Sequence, residues 1–200
     1  MKIKAFFINN KKYISQRTLL MLIIYIIGIC AGAIYCTLIA SQFDDSLNNY
    51  LLNFFSKIRN ELPYIDTLKS SLFKNIRIFF ILFISSHFRL GPFVIMSTVG
   101  TRGFVAGFTS GVFVKYYSIK GLLLSMSSLF SSLLFLPMFL FFSSASFIMA
   151  TDRKTTDSLQ KKKYILLAIF TLTIFCASSV IDSYITTTFM KLIASLFTNL

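Results

Sequence analysis

This 200-residue chain has no tryptophan, one histidine, three cysteines and seven acidic residues. Each shortage removes a class of function. Hydrolysis by paired carboxylates needs two acids about 5–9.5 Å apart, yet Asp182 is the one acid that falls inside an apolar run. A nucleophilic triad needs a base, and His87 is the sole histidine, with no particular serine marked out as its partner. Cys30, Cys36 and Cys176 all lie in apolar runs without C-x-x-C spacing, which argues against a disulfide framework or a thiolate metal site. They read as small packing residues. No Walker sequence, H-E-x-x-H or dinucleotide fingerprint occurs. No cofactor and no metal are expected, and the chain is expected not to be an enzyme. The missing tryptophan, beside abundant Phe, Ile, Leu, Lys, Asn and Ser, reads as a coding bias and carries no mechanism.

What is present is apolar. Hydrophobic residues make up 56% and charged residues 14%, with a mean hydropathy of +0.75, and a water-facing surface cannot be built from that. The charge is one-sided, 20 Lys plus Arg against seven acids, and much of it clusters beside apolar runs, as on the cytoplasmic flanks of membrane helices. No exposed aromatic interleaving accompanies the basic residues, so nucleic acid is not an expected partner. The lipid bilayer is. The reading is an all-α membrane protein of about five transmembrane helices plus an amphipathic extracytoplasmic helix, one polytopic domain over residues 1–200.

Residues 1–17 form a basic tail, and residues 18–39 are an uncharged run long enough to span a hydrocarbon core. Ala31-Gly32-Ala33 mimics a signal cleavage site, but the run is long for a signal peptide, and a retained span is favoured. In residues 40–74 the apolar residues, Tyr50, Phe54, Phe55 and Ile58 among them, recur at three and four. This amphipathic segment either lies on the outer leaflet or docks a partner. Between Ile78 and Val114 two layouts compete. In one, a helix ends near Phe88, the next starts at Pro92, and Arg102 is left near mid-membrane. In the other, residues 78–100 span, Thr101-Arg102 turns in the cytoplasm and residues 103–114 form a short third span; the positive-inside rule for Arg102 favours this one. Residues 121–150 give the fourth span, 151–163 a basic cytoplasmic loop, and 164–188 the fifth. The amino terminus is then cytoplasmic and the carboxyl terminus extracytoplasmic.

His87, Arg89 and Asp182 are the intramembrane polar candidates, because an ionised group at mid-membrane costs about 2.5–3.5 kcal/mol or more and must face protein or water. Pairing of Arg89 with Asp182 would tie span two to span five. Gly28 and Gly32 in span one, and Gly103, Gly107 and Gly111 in span three, repeat at every fourth position. Small residues at that spacing let helix backbones approach closely, within the chain or in a homo-oligomer. Gly91, Pro92 and Pro137 suggest kinks or breaks, whose freed carbonyls the serines 125, 127, 128, 131 and 132 could serve.

Several of these features recur in one order: Asn75-Ile76-Arg77 entering span two, Gly91-Pro92, the run Arg102-Gly103-Phe104-Val105-Ala106-Gly107-Phe108-Thr109-Ser110-Gly111, then Gly121 and Leu136-Pro137. This order resembles the stage II sporulation protein M family over most of the chain, most specifically over residues 75–137. The resemblance implies a role in engulfment during endospore formation. It also implies work beside two membrane-anchored peptidoglycan hydrolases, a lytic transglycosylase and an amidase or endopeptidase, that thin the septal wall. The expected function is a non-catalytic scaffold that recruits or holds those hydrolases. The rival expectation is a permease-like subunit of an exporter or immunity system, suggested by kinked, serine-lined and arginine-containing spans.

Overall fold

The computed structural model describes residues 11–39, 64–151 and 158–197. They are helical apart from one turn, and form α1 (Lys11–Ile39), α2 (Tyr64–Ser85), α3 (Gly91–Thr151) and α4 (Ser158–Phe197). Residues 1–10 of the basic tail, the segment carrying Tyr50, Phe54, Phe55 and Ile58, and residues 152–157 lie outside the described residues, while residues 11–17 of the tail are the first turns of α1.

α3 is 61 residues long and would measure about 90 Å if straight. It is not straight. Ala150 Cβ lies 3.2 Å from where a Cβ on Gly91 would sit, so the two ends of α3 are neighbours. Arg102 meets the Phe135 ring midway, and Gly121 rests on the Phe113 carbonyl. α3 is therefore a hairpin, a first limb rising from Gly91 and a second returning to Thr151, with the reversal between Phe113 and Gly121.

α2 shows why helices form and pair here. Its buried residues Ser71, Asn75, Ile78, Phe79, Leu82 and Ser85 recur at three and four and face the bundle. The opposite face carries Phe73, Phe80 and Ile84, each more than half exposed. An outward apolar face of this kind suits hydrocarbon and not water. Asp66 in the first turn complements the positive end of the helix dipole.

The helix ends in a tight turn, with His87 N donating to Ile84 O at 3.0 Å and Gly91 N to Phe88 O at 3.0 Å. Gly91 is required there, because a Cβ would strike the Ser85 carbonyl. Pro92 then sits in the first turn of α3, where its missing N–H costs nothing. The expected turn at Thr101-Arg102 is thus corrected, as are the spans 78–100 and 103–114. The chain reverses at residues 86–90, and Arg102 lies well inside a helix. Gly91 and Pro92 begin a helix instead of kinking one. Pro137 does lie within a helix, on an exposed face of the second limb of α3.

Two stretches, Gln16–Leu38 and Gln160–Tyr184, are long and apolar enough to cross a membrane, and Phe135–Thr151 is a shorter apolar helix. The aromatic core joins α2, the second limb of α3 and α4. Phe79 stacks on Phe142 at 5.2 Å, and Tyr164 stacks on Phe142 and Phe83 at 6.0 Å each. α1 packs along the first limb of α3 and is pinned to the second by a 2.9 Å bond between Thr18 Oγ1 and Ser144 Oγ.

Candidate functional site

The α1–α3 contact is a backbone contact. A Cβ on Gly28 would meet the Gly100 carbonyl, one on Gly32 the Phe104 carbonyl, one on Gly103 the Tyr25 carbonyl, and one on Gly107 the Ile29 carbonyl. The glycines of each helix lie in the groove of the other. Gly111 closes the series against Cys36, whose Cβ and Sγ would lie 3.1 Å from an added Cβ. Helices that share no hydrophobic driving force gain dispersion contacts and weak Cα–H···O bonds by approaching this closely. Tyr35 covers the seam, tilted against Phe104 at 5.5 Å and Phe108 at 6.2 Å.

Beside this seam a chain of polar groups crosses three helices. Arg102 Nη2 donates to Asn75 Oδ1 at 3.4 Å, Asn75 Nδ2 donates to Ser179 Oγ at 2.9 Å, and Ser179 Oγ donates to the Phe175 carbonyl at 2.8 Å. One turn away, Ser71 Oγ donates to Asp182 Oδ2 at 2.6 Å, and Ser183 Oγ to the Tyr64 carbonyl at 3.2 Å. Asn75 is the pivot, since its amide offers an acceptor to the guanidinium and a donor to α4 at once. Arg102 also lies over the Phe135 ring, 5.1 Å from its centroid, a favourable cation–π placement. Asp182 acts electrostatically on both Arg102 and Lys74, so its carboxylate partly offsets two cations.

These groups border a cavity of about 190 Å³ lined by Tyr25, Lys74, Arg102, Thr109, Ser110 and Phe135, with aliphatic and aromatic walls beyond. Its lining combines two cations and three hydroxyl side chains with apolar residues. Among the described residues no cluster of three or more His, Cys, Asp or Glu could hold a metal ion.

A family model, Stage II sporulation protein M, matches residues 21–187. The chain belongs to the Stage II sporulation protein M family. The match runs from Met21 in α1 to Thr187 in α4, so it takes in the glycine seam, the polar chain and the turn at residues 86–90. Membership points to a sporulation membrane protein. No curated protein and no solved structure matches the chain.

In this sporulation protein M member the structure separates residues that the sequence grouped. Gly28, Gly32, Gly103, Gly107 and Gly111 come together within the chain. His87 and Arg89 do not enter the bundle. Both are exposed in the turn, where the His87 ring is tilted against Phe83 at 5.2 Å, and its Nδ1 lies 3.0 Å from Ser86 Oγ and from the Phe83 carbonyl. The expected Arg89–Asp182 pair is corrected, because Asp182 belongs with Ser71, more than three helical turns from the turn that holds Arg89. The serines at 127, 128, 131 and 132 have no described side chains, and Ser125 Oγ donates to its own helix at Leu122 O, 2.9 Å away.

Sequence reasoning missed Asn75, Lys74, Ser71, Ser179 and Tyr25 as site residues. One signal was present: Ser178, Ser179, Asp182 and Ser183 recur at three and four along α4, a polar stripe in an otherwise apolar helix.

Proposed function

We propose that this chain is a non-catalytic, five-span membrane scaffold of sporulation that holds membrane-anchored peptidoglycan hydrolases during septal wall thinning and engulfment. The observation that carries the reading is the glycine seam. Backbone-to-backbone contact between α1 and α3 makes a framework whose helix ends keep fixed positions, which is what a holder needs and a turnover cycle does not.

The five spans are α1, α2, the two limbs of α3, and α4. With the reversals at residues 86–90 and 113–121, Arg17, Arg89 and the 161–163 lysines fall at one end of the bundle, as the contacts Arg17–Phe147, Gly91–Ala150 and Phe83–Tyr164 require. The positive-inside rule then faces that end to the cytoplasm. The amino terminus is cytoplasmic, the carboxyl terminus extracytoplasmic, and the segment from 40 to 63 lies on the wall side. Tyr50, Phe54, Phe55 and Ile58 remain the proposed docking residues for the hydrolases.

The test is co-purification of a tagged chain from sporulating membranes. Full-length protein is expected to bring down wall hydrolases, and a variant lacking residues 44–62 to lose them while keeping its helical circular dichroism. Retention of the hydrolases by the deletion variant would remove the docking assignment. The permease-like reading rests on the cavity beside Arg102, and a failure to recover any hydrolase with the full-length chain would favour it.

A further inference from the structure

The cations at the α1–α2–α3 junction hold more donors than the protein uses. Arg102 has five N–H donors, and its one hydrogen bond among the described residues is the long contact to Asn75 Oδ1. Its Nε is buried with no partner among the described residues. Lys74, an exposed residue, brings an ammonium to the same cavity. Burying the Arg102 Nε without an acceptor is costly, so an acceptor from outside the chain is the economical completion. Asp182 supplies charge nearby and accepts from Ser71 at Oδ2.

The cavity gives the acceptor's size and class. About 190 Å³ is room for about six waters at roughly 30 Å³ each, enough for one tetrahedral oxyanion with part of its solvation. A guanidinium and an ammonium in one lining match phosphate geometry and charge. The Tyr25 and Ser110 hydroxyls supply neutral donors, whereas the Thr109 hydroxyl donates to the Val105 carbonyl. The remaining walls, Val105, Ala106, Leu136 and Phe139, are apolar or small and would repel a free hydrated anion, but suit the first carbons of an alkyl ester.

We propose that the cavity between Lys74 and Arg102 binds a phosphate-class oxyanion, presented as the headgroup of a membrane amphiphile. Arg102 is the anchor, already oriented by Asn75 and Phe135, and Lys74 closes over the oxygens that the guanidinium leaves. This function is independent of hydrolase docking, which uses a different part of the chain.

Native mass spectrometry of the full chain, released from nanodiscs of phosphatidylcholine containing phosphatidic acid, counts retained lipid. A second arm adds inorganic phosphate to protein in phosphatidylcholine alone. The wild type is expected to retain one phosphatidic acid. Arg102→Gln and Lys74→Gln are each expected to weaken retention about tenfold or more. Lys74→Gln removes no hydrogen bond seen among the described residues, and unchanged helical circular dichroism shows that a loss there is not unfolding. Retention of inorganic phosphate that Lys74→Gln abolishes, without retention of phosphatidic acid, keeps the oxyanion site and assigns it a soluble ligand. Binding of neither probe, or binding indifferent to Lys74→Gln, overturns the proposal.

Discussion

Two glycines two turns apart in α3 make opposite predictions. A Cβ on Gly107 would collide with the Ile29 carbonyl, whereas one on Gly100 would sit 3.7 Å from Ile24 Cγ2, an ordinary contact. Gly107→Ala is therefore expected to destabilise the protein by about 1–3 kcal/mol, the usual cost of overpacking. Gly100→Ala should be neutral or stabilise by up to about 1 kcal/mol, because glycine is a poor helix residue. Unfolding midpoints in a denaturing detergent titration would show the two signs, and equal destabilisation by both would remove the seam. Asn75→Ala is expected to cost about 1–3 kcal/mol, since it strips the guanidinium of its hydrogen bond. Ser179→Ala should cost less, because Asn75 then loses one contact and Arg102 none. The glycine positions were legible because spacing alone exposes them. Arg102 was not: the positive-inside rule moves an arginine toward a turn, and only the three-dimensional partners, Asn75 and the Phe135 ring, explain how a helix interior keeps it.

At the scale of elements, the hairpin in α3 is the feature that decides the topology. Nitroxide labels at Phe93→Cys and Thr151→Cys, both exposed positions, report on it in a chain whose native cysteines are replaced. A continuous straight helix would place these positions about 87 Å apart at 1.5 Å per residue. The hairpin puts them on neighbouring limbs, whose axes pack at about 10 Å, so a short distance by pulsed electron resonance is expected. A long one would break the fold described here. The turn at residues 86–90 had sequence signals, Ser85-Ser86 and Gly91-Pro92, but proline inside an apolar stretch reads equally as a kink. What settles it is the Ser85 carbonyl in the space that a side chain at position 91 would occupy, a contact that no local pattern announces.

For the whole molecule, moving the turn also moves the charges. With the chain reversing at residues 86–90, Arg89 leaves the proposed membrane interior and joins Arg17 and the 161–163 lysines. Cysteine placed at Arg89 is expected to react with a membrane-impermeant maleimide in inverted vesicles and to be protected in intact cells. Labelling from the outside of intact cells would reverse the proposed orientation. The overall helical class and the apolar character were legible from composition, whereas the packing order was not, because five apolar segments can be arranged in many ways and only their contacts choose one.

The glycine seam has a consequence for how such an interface can vary. The atoms that meet Gly28, Gly32, Gly103 and Gly107 are carbonyl groups, which every residue type shares. Any substitution at those positions adds a Cβ, and no substitution on the opposing helix can take a carbonyl away. Compensating pairs of changes are therefore closed to this contact. Among related chains the seam should be invisible to pairwise covariation, and helix contacts deduced from correlated substitutions should recover the aromatic core while missing the place where α1 and α3 lie closest.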